Sequence, residues 1–202
     1  MKRPLVLLPL LLVLAAAAAA PVTAAGNVQF LLGQRTFNDD WRPVDRQWLL
    51  GVQGDWGQDD WPIHLAWGFS IAAAQEEPTG APGYQYTAGV GSLSFGAVWL
   101  PLQDSAWRPY LGAGIEYSYS YFELDIDPPS FDDTDGSLGY YFDGGLFWRL
   151  GPQFNLGLDV RLGRGASYTF DVPVLFSIAD RSTLSGNYTQ YALVLGFGWP
   201  SR

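Results

Sequence analysis

Long stretches of this chain alternate apolar and polar residues with a period of two, a pattern that commits a polypeptide to β-structure. In 109–121, Leu111, Ala113, Ile115, Tyr117, Tyr119 and Tyr121 share one face, opposite Tyr110, Gly112, Gly114, Glu116, Ser118 and Ser120. Segment 138–150 sets Tyr140, Phe142, Leu146, Trp148 and Leu150 against Tyr141, Asp143, Gly145, Phe147 and Arg149. Segments 153–163 and 188–199 repeat the pattern with Phe154, Leu156, Leu158, Val160 and Leu162, and with Tyr191, Leu193, Leu195, Phe197 and Trp199. The N-terminal half follows with Val28, Phe30 and Leu32; Trp48, Leu50 and Val52; Ile63, Leu65, Trp67, Phe69 and Ile71; and Leu93, Phe95, Ala97 and Trp99. Residues 86–91 break the alternation, as a bulge or glycine kink would.

Eight segments imply seven connections, at 37–44, 57–60, 73–84, 101–106, 123–136, 151–152 and 165–187, alternating long and short. An antiparallel up-and-down barrel with short turns at one end and long loops at the other has this rhythm. A soluble barrel buries its apolar face, and a membrane barrel turns it outward. The polar faces here are rich in Gly, Ser and Ala, which suits a crowded lumen. Strands of 10–13 residues match a tilted bilayer crossing. Trp56, Trp61, Trp99, Trp107, Trp148 and Trp199 gather by the short connections, and Tyr84, Tyr86, Tyr119, Tyr121, Tyr140, Tyr168 and Tyr188 by the long ones. Rings with a polar edge prefer the lipid–water boundary, so these are expected to form two girdles. The expected fold is all-β, an eight-stranded antiparallel up-and-down transmembrane β-barrel.

The N-terminus reads as a secretory leader. Lys2 and Arg3 precede an apolar run, and Pro21-Val22-Thr23-Ala24-Ala25 supplies small residues for cleavage, giving a signal peptide at 1–25 and a barrel domain at 26–202. Loss of Lys2 and Arg3 would take the formal charge from −9 to −11. That acidity argues against nucleic acid as a partner. There is no cysteine, hence neither a disulfide nor a cysteine-linked lipid anchor.

The run Trp107-Arg108-Pro109-Tyr110-Leu111-Gly112-Ala113-Gly114-Ile115-Glu116-Tyr117 and the final Tyr191-x-Leu193-x-Leu195-x-Phe197-x-Trp199 carry a resemblance. The chain resembles the small eight-stranded outer-membrane barrels of Gram-negative bacteria, the OmpA/OmpX/OmpW-type superfamily. The resemblance implies residence in the cell outer membrane with both termini periplasmic, a bilayer and lipopolysaccharide as surroundings, and a monomer without cofactor. It also implies that Tyr191, Leu193, Leu195, Phe197 and Trp199 form the signal read by the barrel-assembly machinery. Pro200-Ser201-Arg202 follows the last aromatic, where many relatives stop.

A barrel of this size is filled by its own side chains. The predicted lumen holds Asp55, Glu116, Asp143 and Asp159 against Arg35, Arg149 and Arg161, which reads as a structural ion network rather than a charged pore. The loop 123–136 clusters Glu123, Asp125, Asp127, Asp132, Asp133 and Asp135. Such carboxylates suit Ca²⁺ or Mg²⁺, but their spacing misses the EF-hand, and a solvated acidic loop is the simpler reading. Lipid A-modifying enzymes occur on similar barrels; the single histidine, His64, would face Ser94 across a symmetric hairpin, a weak basis for catalysis. The expected role is therefore non-catalytic, structural or surface-interacting through acidic loops. An OmpW-like narrow channel for small apolar molecules is the alternative, and a lipid A-modifying enzyme the second.

Overall fold

The computed structural model describes residues 24–58, 61–77, 84–103, 105–126, 130–151, 153–170 and 182–199; residues 1–23, which hold nearly all of the expected leader, lie outside them. Strands β1 (Ala24–Phe37), β2 (Arg46–Gln58), β3 (Ile63–Glu76), β4 (Tyr84–Trp99), β5 (Trp107–Ile126), β6 (Ser130–Arg149), β7 (Phe154–Arg164) and β10 (Tyr188–Trp199) close into an eight-stranded antiparallel barrel. Between β7 and β10, strands β8 (Ser167–Phe170) and β9 (Ser182–Ser185) form a separate hairpin. Closure leaves no strand edge facing lipid, where an unpaired backbone donor would cost several kcal/mol.

The strands are staggered. A cross-strand row starting at Trp56 passes through Leu65, Ala97, Ala113, Phe142, Leu162, Thr189 and Thr36 and returns to β2 at Arg46, ten residues from its start. A stagger of that size requires strands tilted by about 40°. The tilt explains why β-strands longer than a perpendicular crossing fit this barrel.

The alternating faces fall as the period-two pattern predicts. The apolar sets point outward: Leu32, Leu50, Leu93, Leu111, Phe142, Leu158 and Leu193 are all about half exposed or more. Residues between them are buried, among them Gln29, Gln53, Ser92, Glu116, Asp159 and Gln190. No bulge occurs at 86–91, because β3–β4 and β4–β5 keep one register throughout. The alternation breaks there because Ala88 and Val90 are apolar residues on the inner face, both buried. The fifth connection also differs from expectation: most of 123–136 is strand, paired from Glu123↔Asp132 to Asp125↔Ser130.

Two apolar clusters occupy the interior. One runs through the barrel from Leu31, Leu49, Ala72 and Val194 to Val98, Leu100, Tyr110 and Phe147 near the short-turn end. The other caps the loop end with Phe37, Trp41, Val44, Ala88, Val90, Tyr168, Phe170 and Tyr188.

Candidate functional site: a filled lumen beneath an acidic hairpin

The polar inner face forms a column of hydrogen-bonded groups. Asp143 and Arg161 are direct cross-strand partners on β6 and β7, and Arg161 Nη2 donates to Asp143 Oδ2 at 2.8 Å. Its Nη1 lies 3.7 Å from Glu116 Oε2, and the guanidinium sits 4.3 Å above the Tyr141 ring. The approach needs glycine on the facing strand, since a Cβ at Gly114 would stand 2.7 Å from Tyr141 Cε1. The Tyr188 hydroxyl lies 2.8 Å from each Glu116 oxygen. Beside this group a cavity of about 20 Å³ is lined by Gln53, Asp55, Tyr110, Tyr141, Asp143 and Arg161, among others. That is room for about one water.

The other predicted network members take different partners. Arg35, fully buried, pairs with no carboxylate among the described residues. Its guanidinium donates to Gln190 Oε1, Ser92 Oγ and Ser70 Oγ, each at 2.9 Å, and lies 4.1 Å over the Tyr188 ring. Asp159 accepts from the Tyr110 hydroxyl, and Tyr110 stacks on Phe147 at 4.6 Å. Arg149 stands apart from the network: at the short-turn end its Nη2 donates to the Gln103 carbonyl at 3.2 Å. Arg149 is the last residue of β6, so its side chain reaches the connecting backbone rather than the lumen centre.

His64 corrects another expectation. The β3–β4 register places it opposite Val98, and Ser94 opposite Gly68. Ser94 Oγ accepts from Arg161, whereas His64 Nδ1 lies 2.8 Å from Asp55 Oδ1. Asp55 also accepts from Asn27 and Gln29, so its partner is the imidazole rather than an arginine. A hydroxyl nucleophile beside His64, the minimum for acyl transfer, is not formed by the predicted pair.

The loop end is closed by aromatic packing. Trp41 lies in the 3₁₀ turn Asp39–Trp41, stacks on Phe37 at 4.5 Å, and donates from Nε1 to the Ser185 carbonyl at 2.8 Å. Tyr168 and Phe170 from β8 meet Trp41 edge-on, at 5.7 and 6.3 Å. Burial raises the Tyr168 hydroxyl pKa above its ordinary value. Tyr168 and Tyr188 therefore belong to this plug and not to an outer girdle, while Tyr119 and Tyr140 do face outward. At the opposite end Trp56, Trp61, Trp99, Trp107 and Trp148 are exposed, with Trp107 and Trp148 stacked at 5.5 Å. Trp199 ends β10 opposite Gly26, and its side chain is outside the described residues. Tyr191, Leu193 and Leu195 face outward, and Phe197 packs edge-on against Phe154.

The acidic residues decorate the β5–β6 hairpin, which runs past the last β6–β7 pair, Tyr140↔Arg164. Glu123 accepts from the Tyr121 hydroxyl at 2.6 Å, holding that phenol up at a pKa of about 12. Asp135 accepts from the backbone of Gly136 and of Thr169, tying the hairpin to β8. Asp133 accepts from Thr134 N, Asp125 is exposed, and Asp127 lies outside the described residues. Among the described residues no three acidic or histidine side chains converge as a metal site would require.

An apolar exterior bounded by aromatic side chains, around a lumen packed with its own residues, defines a small integral membrane β-barrel. Residues 6–199 match the model of the outer membrane protein beta-barrel domain, and the chain belongs to that family. By sequence it matches no curated protein. Among solved structures it is similar to the outer membrane protein OprG of Pseudomonas aeruginosa, with TM-score 0.65 and 14% identity over 88% of this chain and 96% of that one. It is also similar to Ail, the attachment invasion locus protein of Yersinia pestis, solved with the heparin analogue sucrose octasulfate (TM-score 0.58, 9% identity, 87% and 99% covered). A major outer membrane protein of Thermus thermophilus gives TM-score 0.58 at 12% identity, with 87% and 99% covered. The protein is an outer-membrane β-barrel.

Proposed function

We propose that this protein is a non-conducting, non-catalytic outer-membrane barrel that acts through its loop-end surface. The observation carrying this reading is the doubly filled lumen: the Arg161–Asp143–Glu116–Tyr188 network occupies the barrel, and the Trp41–Tyr168–Phe170 cluster closes the loop end. A transported solute would have to displace both. The apolar groups at the mouth are packed against one another, which favours this reading over a channel for small apolar molecules.

In this proposal residues 1–25 are a leader, both barrel termini are periplasmic, and the acidic β5–β6 hairpin stands outside the cell. The protein works as a monomer, delivered by the barrel-assembly machinery through the β10 signal. Glu123, Asp125, Asp132, Asp133 and Asp135 then present negative charge to basic partners or to divalent cations shared with lipopolysaccharide phosphates. The chain has no native cysteine, so orientation is tested with single thiols at Thr134 and Leu102. A membrane-impermeant maleimide on intact cells is expected to label Thr134→Cys and to spare Leu102→Cys; the opposite pattern overturns the orientation. Neutralising the five hairpin carboxylates is expected to reduce retention of cells on a polycationic surface, and unchanged retention would refute the hairpin's role.

A further inference from the structure

On the lipid-facing side of β10, β1 and β2 the chemistry changes in steps towards the loop end. The register sets Leu193, Leu32 and Leu50 abreast, then Tyr191, Gln34 and Trp48, then Thr189, Thr36 and Arg46. The leucine row borders an outward-opening apolar groove of about 500 Å³, whose walls include Phe30, Leu32, Leu50 and Leu193. Trp48 and Tyr191 are 73% and 58% exposed, so their rings project into the surroundings rather than covering a neighbour.

Arg46 completes the gradient. It is exposed, and its guanidinium makes no hydrogen bond or ion pair with any described residue. The other described loop-end arginines near the surface are engaged: Arg42 pairs with Asp39 at 2.8 Å, and Arg164 donates to the carbonyls of Gly163 and Tyr188. Of the nearby carboxylates, Asp39 holds Arg42 and Asp40 accepts from Asn38, while Asp45 beside Arg46 and Glu76 and Glu77 at the end of β3 make no ion pair with it. Across the barrel the loop end instead carries Tyr119, Tyr121, Glu123 and Asp132. There an anionic headgroup needs a bridging cation, whereas here it meets an unpaired guanidinium directly.

We propose that this face binds one phosphorylated, multiply acylated glycolipid of the outer leaflet, a lipid A-type molecule, with an acyl chain in the groove and a phosphate on Arg46. The proposal rests on the loop end facing the cell exterior. Leu50 and Arg46 are four residues apart, about 14 Å along the strand. At a tilt of roughly 40° that is about 10 Å along the membrane normal, close to half of the ~25 Å apolar band of such barrels. A chain lying in the groove thus brings its headgroup to the guanidinium, which can grip phosphate through two parallel N–H donors. Trp48 and Tyr191 lie between the two, at the level where amphipathic rings meet sugar and ester groups.

The test uses the full-length folded chain in detergent, titrated with bisphosphorylated lipid A and followed by native mass spectrometry, with gel mobility before and after boiling as the folding control. One lipid A per barrel is expected for the wild type. Arg46→Gln is expected to weaken binding about tenfold, Arg46→Lys to restore part of it, and Leu32→Trp, which fills the groove, to weaken it as well. Fully dephosphorylated lipid A is expected to bind wild type and Arg46→Gln alike. Unchanged affinity in Arg46→Gln, or equal wild-type affinity for phosphorylated and dephosphorylated lipid, would overturn the site. Detergent binding does not depend on orientation, so a failure of the surface-labelling test would condemn the outer-leaflet assignment while leaving this measurement intact.

Discussion

Arg161 Nη2 sits 2.8 Å from Asp143 Oδ2, in an ion pair buried between β6 and β7. Removing one member of such a pair strands the other charge, at a cost of about 3–5 kcal/mol. Arg161→Ala is expected to lower barrel stability by that amount, measured by urea unfolding in lipid vesicles with tryptophan fluorescence as readout. The paired change Arg161→Met with Asp143→Leu is expected to cost less than Arg161→Ala, because Asp143 is no longer stranded and only Glu116, still held by the Tyr188 hydroxyl, loses its cation. Equal losses for the single and double variants would mean that the pair is not the unit of stability.

Trp41 joins the first loop to the β8–β9 hairpin, through Phe37 beneath it and the Ser185 carbonyl beside it. Trp41→Ala should destabilise by about 3–5 kcal/mol, as for other buried aromatics. It should also speed amide exchange across Ser167–Phe170 and Ser182–Ser185. Unchanged exchange there would show that the hairpin is held without the tryptophan.

Tyr121 reports on the acidic hairpin. Its hydroxyl donates to Glu123, which favours the protonated phenol and raises its pKa to about 12 from an ordinary value of about 10. A group whose pKa rises on folding contributes stability below its unfolded value and loses it as pH climbs through the folded one. The hairpin contact is therefore complete below about pH 10 and is lost through about pH 12. Ultraviolet titration should show the shifted phenol, and Glu123→Gln should move its midpoint down; an unmoved midpoint would contradict the contact.

His64 faces Asp55, not Ser94, so the protein is not expected to modify lipid A. Deletion of the gene, or His64→Gln in its place, should leave the lipid A mass profile of the cells unchanged. A lost palmitoylated species, or retention of an acyl chain that is otherwise removed, would revive the enzymatic reading.

The lipid face was readable because period-two alternation holds wherever one side of a strand meets hydrocarbon. The lumen was less so, since a small barrel fills itself with whatever packs, and Ala88, Val90, Leu31 and Val194 are as buried as Gln190. Their inward positions erased the contrast that alternation depends on. The His64–Ser94 pairing failed on turn position: β3 continues through Ala72–Ala74 to Glu76, and moving a hairpin's centre by two residues moves every partner by four. Trp41, Tyr168 and Phe170 sit in segments that read as loops, and Tyr168 was expected in an outer girdle, because a loop's sequence does not show that it folds back over the barrel mouth. The acidic hairpin was legible as charge but not as strand, because its strands end only next to the Pro128-Pro129 pair.

The central claim is that the lumen does not conduct. Purified protein reconstituted in a planar lipid bilayer should show no sustained conductance steps at either polarity, and Arg161→Ala combined with Trp41→Ala should be the first variant to show them. Steady, ion-selective openings from the wild-type protein would contradict a filled barrel and return the function to transport.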